Sequence, residues 1–225
     1  MRRLVILRPE PGASATAERV RAMGLEPVAM PLFKVEPVDW AVPDPGSFDA
    51  LLLTSANAVR HSGEGLRSLR QLPVYAVGEA TAAAAREAGF DVASSGEAGV
   101  ERLLGSIPPD LRLLHLCGEQ RIEPQASQAI TAVPVYRSNA LPMPDDFTSI
   151  EGQVAAVHSP RAGQRLGELA DQARVDRSTV RIAAISEAAA SGASPGWERC
   201  EAAATPDEAA LLALAARLCD NPPQT

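Results

Sequence analysis

The chain has 225 residues, enough for one large or two small domains. Its 21 basic and 28 acidic residues leave a formal net charge of −7, which argues against a general binder of nucleic acid or anionic membranes. Hydrophobic residues make up 46% and aromatic residues only 4%, so the core must be built mainly from Ala, Val and Leu.

Leu4–Leu7 is a short apolar run of the kind buried in parallel sheets, broken by Arg8-Pro9-Glu10-Pro11-Gly12. The run has four residues, far short of a signal peptide's hydrophobic region, and no stretch approaches the ~20 apolar residues of a membrane span. A helix is expected over Ala15–Met23, closed by Gly24, and a strand with its exit over Pro27–Val35. Residues 36–47 contain Pro37, Pro43 and Pro45 and read as a linker. Strand Ala50–Leu53 leads through Thr54-Ser55-Ala56-Asn57 into one helix, Ala58–Leu69. Strand Val74–Val77 leads through Gly78-Glu79-Ala80-Thr81 into an Ala-rich helix ending at Gly89. A short strand at Asp91–Ala93, a loop over 94–99, a helix at Val100–Ser106 and a strand at Leu113–Leu116 follow, then Cys117-Gly118-Glu119-Gln120-Arg121. Ala132–Arg137 is extended, and residues 137–144 form a second linker.

The pattern then restarts with strand Val154–Val157, helix Arg161–Ala173, strand Ile182–Ile185, short helix Glu187–Gly192 and strand Cys200–Ala203. In the last helix, Asp207–Cys219, Thr205 is expected as the cap, with Pro206 in the first helical position and Glu208 three residues on. The end, 220–225, is expected to fray.

Two stretches repeat two others. F-D-A-L-L-L-T-S-A-N-A-V-R (48–60) is echoed by V-A-A-V-H-S-P-R-A-G-Q-R (154–165), and V-Y-A-V-G-E-A-T-A (74–82) by I-A-A-I-S-E-A-A-A (182–190). The spacings are close, with 23 residues from Ser55 to Gly78 and 27 from Ser159 to Ser186. Repetition of this kind implies two similar α/β lobes with parallel sheets. Neither 1–35 nor 145–225 completes a lobe alone. The economical arrangement joins them into one discontinuous lobe and inserts 38–136 as the other, with two linkers crossing side by side. Such lobes leave a cleft between them, a favoured ligand site.

The cysteines, Cys117, Cys200 and Cys219, are odd in number and lack C-x-x-C spacing, so reduced thiols in a cytosolic protein are expected. Three scattered histidines, His61, His115 and His158, do not make a metal site, and His158 reads as a neutral packed side chain. Neither G-x-x-x-x-G-K-[ST] nor G-x-G-x-x-G after a strand occurs, which disfavours a nucleotide-dependent enzyme.

L-R-P-E-P (7–11), L-T-S-A-N-A-V (53–59), V-G-E-A-T-A-A-A (77–84), L-C-G-E-Q-R (116–121), V-Y-R-S (135–138), H-S-P (158–160) and T-P-D-E-A-A-L-L-A-L (205–214) occur in that order. In these motifs the chain resembles the uroporphyrinogen-III synthase family. The resemblance implies two flavodoxin-like lobes joined by two strands, the first lobe split by the second. The chain departs from the family in three places: the stretch 117–133 is short, the turn at Ser186-Glu187-Ala188-Ala189 lacks the usual Gly and Thr, and the following helix is interrupted by Gly192, Pro195 and Gly196.

The resemblance further implies an enzyme of haem biosynthesis; the short apolar runs make a cytoplasmic protein the expectation, and the lack of a long apolar surface helix makes a monomer the expectation. It would close the linear tetrapyrrole hydroxymethylbilane with loss of water and inversion of the terminal ring, without metal or cofactor. Its task is mostly positioning, with modest acid assistance. Tyr136 is the implied acid, since a phenol of pKa ~10 can donate at neutral pH. The substrate's many carboxylates call for N–H donors and cations, which the repeated turns at strand ends could supply. Candidate binding residues are Thr54, Ser55, Asn57, Gly78, Thr81, Gly118, Ser159 and Ser186, together with Arg8, Arg121 and Arg161. The plainer reading makes the hydroxyls helix caps and the arginines solvated. Two rivals remain: a two-lobed cytosolic binding or sensor protein for an anionic ligand, and a degenerate synthase kept as an assembly partner.

Overall fold

A computed structural model describes residues 1–96, 99–121 and 123–220. Residues 221–225 of the end expected to fray, and 97–98 of the expected 94–99 loop, lie outside the described residues. The structure divides into two compact units, one of 1–34 with 140–225 and one of 35–139.

The first unit begins with β1 (Leu4–Ile6), α1 (Gly12–Ala22) and β2 (Pro27–Ala29). The chain passes into the second unit along β3 (Phe33–Pro37), which continues with β4 (Ala50–Leu53), α2 (Ala56–His61), β5 (Val74–Val77), α3 (Glu79–Glu87), β6 (Val92–Gly96), α4 (Val100–Gly105) and β7 (Arg112–Gly118). It returns along β8 (Ala129–Ala140) to β9 (Val154–Val157), α5 (Pro160–Ala173), β10 (Arg181–Ala184), α6 (Glu187–Gly192), β11 (Arg199–Ala202) and α7 (Glu208–Asp220).

In the first unit the strand order is β11-β10-β9-β1-β2, with every neighbour parallel. Side chains alternate across a strand, so one sheet has two cores. Val5, Leu7, Ala155, Val157, Ile182 and Ala184 face α5 and α6, while Leu4, Ile6, Val154, Ala156 and Ala183 face α1 and α7. Strands this rich in alanine let helices approach closely. A Cβ on Gly163 would stand 2.7 Å from the Ala189 carbonyl oxygen, and one on Gly192 would collide with the Pro160 carbonyl. Gly192 therefore serves the contact between α5 and α6, which explains one of the departures noted in the sequence. At the start of β10, fully buried Arg181 donates through Nε and Nη2 to Glu198 Oε1 at 2.9 and 2.7 Å and through Nη1 to the Leu218 carbonyl at 2.7 Å.

In the second unit the order is β3-β8-β7-β4-β5-β6. From β8 to β6 the neighbours are parallel. Leu51, Leu53, Val74, Ala76, Leu114 and Leu116 form one face, and Ala50, Leu52 and Leu113 pack with Leu103 and Leu104 of α4 on the other. Between β7 and β8, no helix forms among the described residues.

Several local expectations are corrected. Residues 94–96, expected as loop, are the end of β6, and the first part of the expected 137–144 linker is strand, because β8 runs on to Ala140. The helix over Ala58–Leu69 ends at His61 and continues as a 3-10 stretch, Gly63–Leu69. Gly63 takes a φ of +62°, and the Ser62 carbonyl accepts from Trp40 Nε1 at 3.0 Å, a bond that competes with helical continuation. The last helix is capped by Asp207, not Thr205: Asp207 Oδ1 accepts from the Ala210 amide at 2.8 Å, and Thr205 donates to the other carboxylate oxygen. An acidic side chain beside the exposed amides of a helix start is the stronger acceptor. Glu208 is thus the first helical residue, with its carboxylate free to point elsewhere.

Candidate functional site

In the second unit the candidate residues gather where β4, β5, β7 and β8 approach their C-terminal ends, the side of an open parallel sheet where ligands bind. Ser55 is extended and caps α2, its Oγ accepting from the Asn57 amide at 3.2 Å. Gly78 precedes α3 with φ of +81°, a conformation that side chains rarely tolerate, and its amide donates to the Gly96 carbonyl at 2.8 Å.

Tyr136 reaches this region through a slip in strand register. Cys117 pairs with Pro134, but Gly118 pairs with Tyr136, so Val135 is passed over. A bulge of this kind re-aims the side chain that follows it. Tyr136 thereby packs on the same core as Leu114, Leu116 and Val135. Its ring lies over Gly118, where a Cβ would be 2.8 Å from Cε2 and 2.9 Å from Cζ. Ser55 lies beside the phenol, and the His61 ring stands 6.3 Å away between centroids. Burial raises the Tyr136 pKa above its ordinary value, Cys117 adds to this, and Ser55 opposes it. The group is therefore an O–H donor throughout the neutral range.

On the other face of β7, His115 is 2% exposed and its Nε2 lies 3.0 Å from Thr54 Oγ1. Burial, with help from the Arg121 charge, lowers its pKa to about 4, so the imidazole is neutral.

In the first unit, Ser159 caps α5 by accepting from the Ala162 amide at 3.2 Å, with Pro160 in the first helical position. Ser186 caps α6 by accepting from the Ala189 amide at 3.3 Å. The Arg161 guanidinium lies 4.6 Å from the centre of the Phe33 ring. Glu208 accepts from Arg8 Nη1 and Arg19 Nη1, each at 2.9 Å, and from the Thr16 hydroxyl. Burial acts to raise the Glu208 pKa, but the Thr16 hydrogen bond and the charges of Arg8 and Arg19 outweigh it and hold the carboxyl below its usual range. His158 packs beside this cluster, its pKa lowered to about 4 by burial first and then by Arg8.

Comparison with known proteins decides the family. The model of the family described as Uroporphyrinogen-III synthase HemD matches residues 14–213. The chain belongs to the uroporphyrinogen-III synthase family. Its fold is similar to that of a uroporphyrinogen-III synthetase from Helicobacter pylori, with a TM-score of 0.65 and 19% identity over 97% of this chain and 100% of that one. A mutant uroporphyrinogen III synthase from Thermus thermophilus gives a TM-score of 0.54 and 16% identity over 96% of this chain and 98% of that one. No curated protein sequence matches the chain significantly.

Within this family member, the structure brings Ser55, Gly118 and Tyr136 together, with Thr54, Asn57 and Gly78 on the adjoining turns. Thr81 is 5% exposed and packs into the core from the first turn of α3. Arg121 lies beside His115 and holds Glu123 at 3.7 Å. Arg8 is not the solvated side chain of the plainer reading, because it is tied to Glu208. The sequence did not point to His61 or to the Glu208 partnership. His61 carries no motif, and Glu208 lies 200 residues from Arg8, so only folding reveals the pair. Among the described residues, no group of His, Cys, Asp and Glu could hold a metal ion, and no helix is long and apolar enough to cross a membrane.

Proposed function

We propose that this chain is a uroporphyrinogen-III synthase, a lyase that cyclises hydroxymethylbilane to uroporphyrinogen III. The observation that carries the reading is the family match over 14–213. The Tyr136 phenol, kept protonated by burial beside Ser55, supports an acid role. Its O–H donates to the departing hydroxyl, which leaves as water, and the resulting azafulvene is attacked by the substituted carbon of the terminal ring. The spiro intermediate fragments and recloses with that ring inverted, and the proton lost on aromatisation returns to the phenolate. Ser55 orients the phenol, and Gly118 gives its ring room.

Carboxylates of the substrate are held by the turns carrying Thr54, Asn57, Gly78 and Thr81 of the second unit; within the first unit the Ser159 and Ser186 turns, with Arg161 and Arg8 supplying charge, offer the same chemistry. Arg8 becomes available when a substrate carboxylate replaces Glu208. The enzyme works as a cytoplasmic monomer. Three unpaired thiols, Cys117, Cys200 and Cys219, suit a reducing compartment, and the exposed large apolar side chains Met1, Met23, Val42 and Met143 are spread along the chain.

The test is to supply purified protein with freshly generated hydroxymethylbilane, oxidise the products and separate the isomers. Predominance of type III is expected. Type I alone, at the rate of the protein-free control, would overturn the catalytic reading in favour of a binding protein.

A further inference from the structure

Tyr136 has an aromatic neighbour that the proposed chemistry leaves unused. The His61 ring stands 6.3 Å from the Tyr136 ring between centroids, with 41° between the planes. Aromatic pairs pack with their centroids about 4.5–7 Å apart, so the two rings form a tilted pair. Burial first, and then the charge of Arg60, lowers the His61 pKa, so the imidazole packs there as a neutral flat ring.

The place of His61 is built by its surroundings. It is the last residue of α2, and Ser55, the cap at the other end of that helix, lies beside the Tyr136 phenol. Six helical residues span about 9 Å, so one short helix meets Tyr136 both at its hydroxyl and at its ring. Three features fix the end of α2. The Ser62 carbonyl accepts from Trp40 Nε1 at 3.0 Å, the Ser62 hydroxyl donates to the Ala58 carbonyl, and Gly63 turns the chain at φ of +62°. A shift of His61 would disturb all three. On β7, Gly118 meets the same Tyr136 ring, with 2.8 Å from the place of a Cβ to Cε2. A phenol is aimed by where its ring sits, and contacts from two elements leave that ring fewer orientations than contact with one.

We propose that His61 is a positioning residue for Tyr136: its flat ring, held at the end of α2, acts with Gly118 to keep the phenol aimed at the departing hydroxyl. The role rests on Tyr136 being the acid of the proposed synthase reaction. In this role His61 moves no proton, so phenylalanine serves in its place and alanine does not.

The test has one arm without substrate, which separates it from the synthase reading. Tyr75, the other of the two tyrosines, packs with the core on the opposite face of the sheet, so Tyr75→Phe leaves Tyr136 as the one phenol. In that background the ultraviolet absorbance of tyrosinate is followed as the pH is raised. Tyr136 should ionise above its ordinary value of 10 with His61 or His61→Phe, and closer to that value in His61→Ala, where water reaches the ring. The second arm is isomer-resolved kinetics. His61→Ala should lower kcat about 10–100-fold with KM within about twofold, because a misplacement of about 1 Å can cost that much, while His61→Phe stays near normal. An unchanged ionisation in His61→Ala overturns the proposal. So does a loss of kcat shared by His61→Phe, or an effect of His61→Ala confined to KM. Absence of type III product from the parent chain is instead a failure of the synthase reading.

Discussion

The ring of Tyr136 rests on the bare α-carbon of Gly118, with 2.8 Å between Cε2 and the position a Cβ would take. The two residues are paired across β7 and β8 by the register slip, so the space for the ring and the direction of the phenol have one cause.

Gly118→Ala should therefore push the ring off its seat and separate the phenol from Ser55. Tyr136→Phe removes the proton donor outright, and a positioned acid contributes about 10²–10⁴-fold to rate. Both variants should lose type III formation, and the double variant should be no worse than Tyr136→Phe alone, because the substitutions act through one group. Isomer-resolved kinetics on the three variants checks this. Additive losses would separate Gly118 from the phenol.

Glu208→Gln should produce opposite effects on stability and on binding. Replacing the carboxylate by an amide removes the charge and one of the two acceptor oxygens that Arg8, Arg19 and Thr16 share. A cost of about 1–3 kcal/mol is expected in urea unfolding, as for other buried polar groups that lose a partner. If a substrate carboxylate displaces Glu208 from Arg8, the same variant should show a lower KM for hydroxymethylbilane. An unchanged or higher KM would remove Arg8 from the substrate site.

Stability should fall on mild acidification before the carboxylates titrate. His115 and His158 both have pKa values lowered from 6.5 to about 4, chiefly by burial. Each is neutral in the fold, while the unfolded chain takes up a proton below pH 6.5. Their contribution is complete above pH 6.5 and is lost as the pH falls through that value toward 4, amounting to a few kcal/mol for the pair. Urea midpoints measured from pH 7 to 4.5 should decline, and His158→Gln should decline less steeply. Midpoints that hold level over this range would show that the histidines are charged in the fold.

Gly192→Ala should be among the most damaging single-methyl changes in the chain. Its Cβ would collide with the Pro160 carbonyl, at the helix start that Ser159 caps. Backbone cannot swing aside as a side chain can, so a loss of about 1–3 kcal/mol or more is expected from overpacking. Gly105→Ala is the control, since nothing lies within 4 Å of the position its Cβ would take. Thermal melts of the two variants compare them directly.

The parallel strands were legible in the sequence because buried strands are written as continuous apolar runs. Leu51-Leu52-Leu53 and Val154-Ala155-Ala156-Val157 admit little else. The caps at Ser55 and Ser159 were equally readable, since a hydroxyl just before a helix can accept from its first amides, whereas Thr81 lies inside α3 and does not cap it. Tyr136 was marked as the acid candidate only by the family resemblance that the V-Y-R-S motif helps carry. Tertiary structure decided everything that depended on distant partners. Trp40 ended α2 at Ser62, and Arg8 and Arg19 claimed Glu208. The register slip between β7 and β8 set where Tyr136 points. A run of residues determines its own periodicity and its own caps, because those interactions span a few positions. Which carboxylate meets which arginine, and which face a side chain takes after a bulge, follow from energies that exist only once remote segments are packed together.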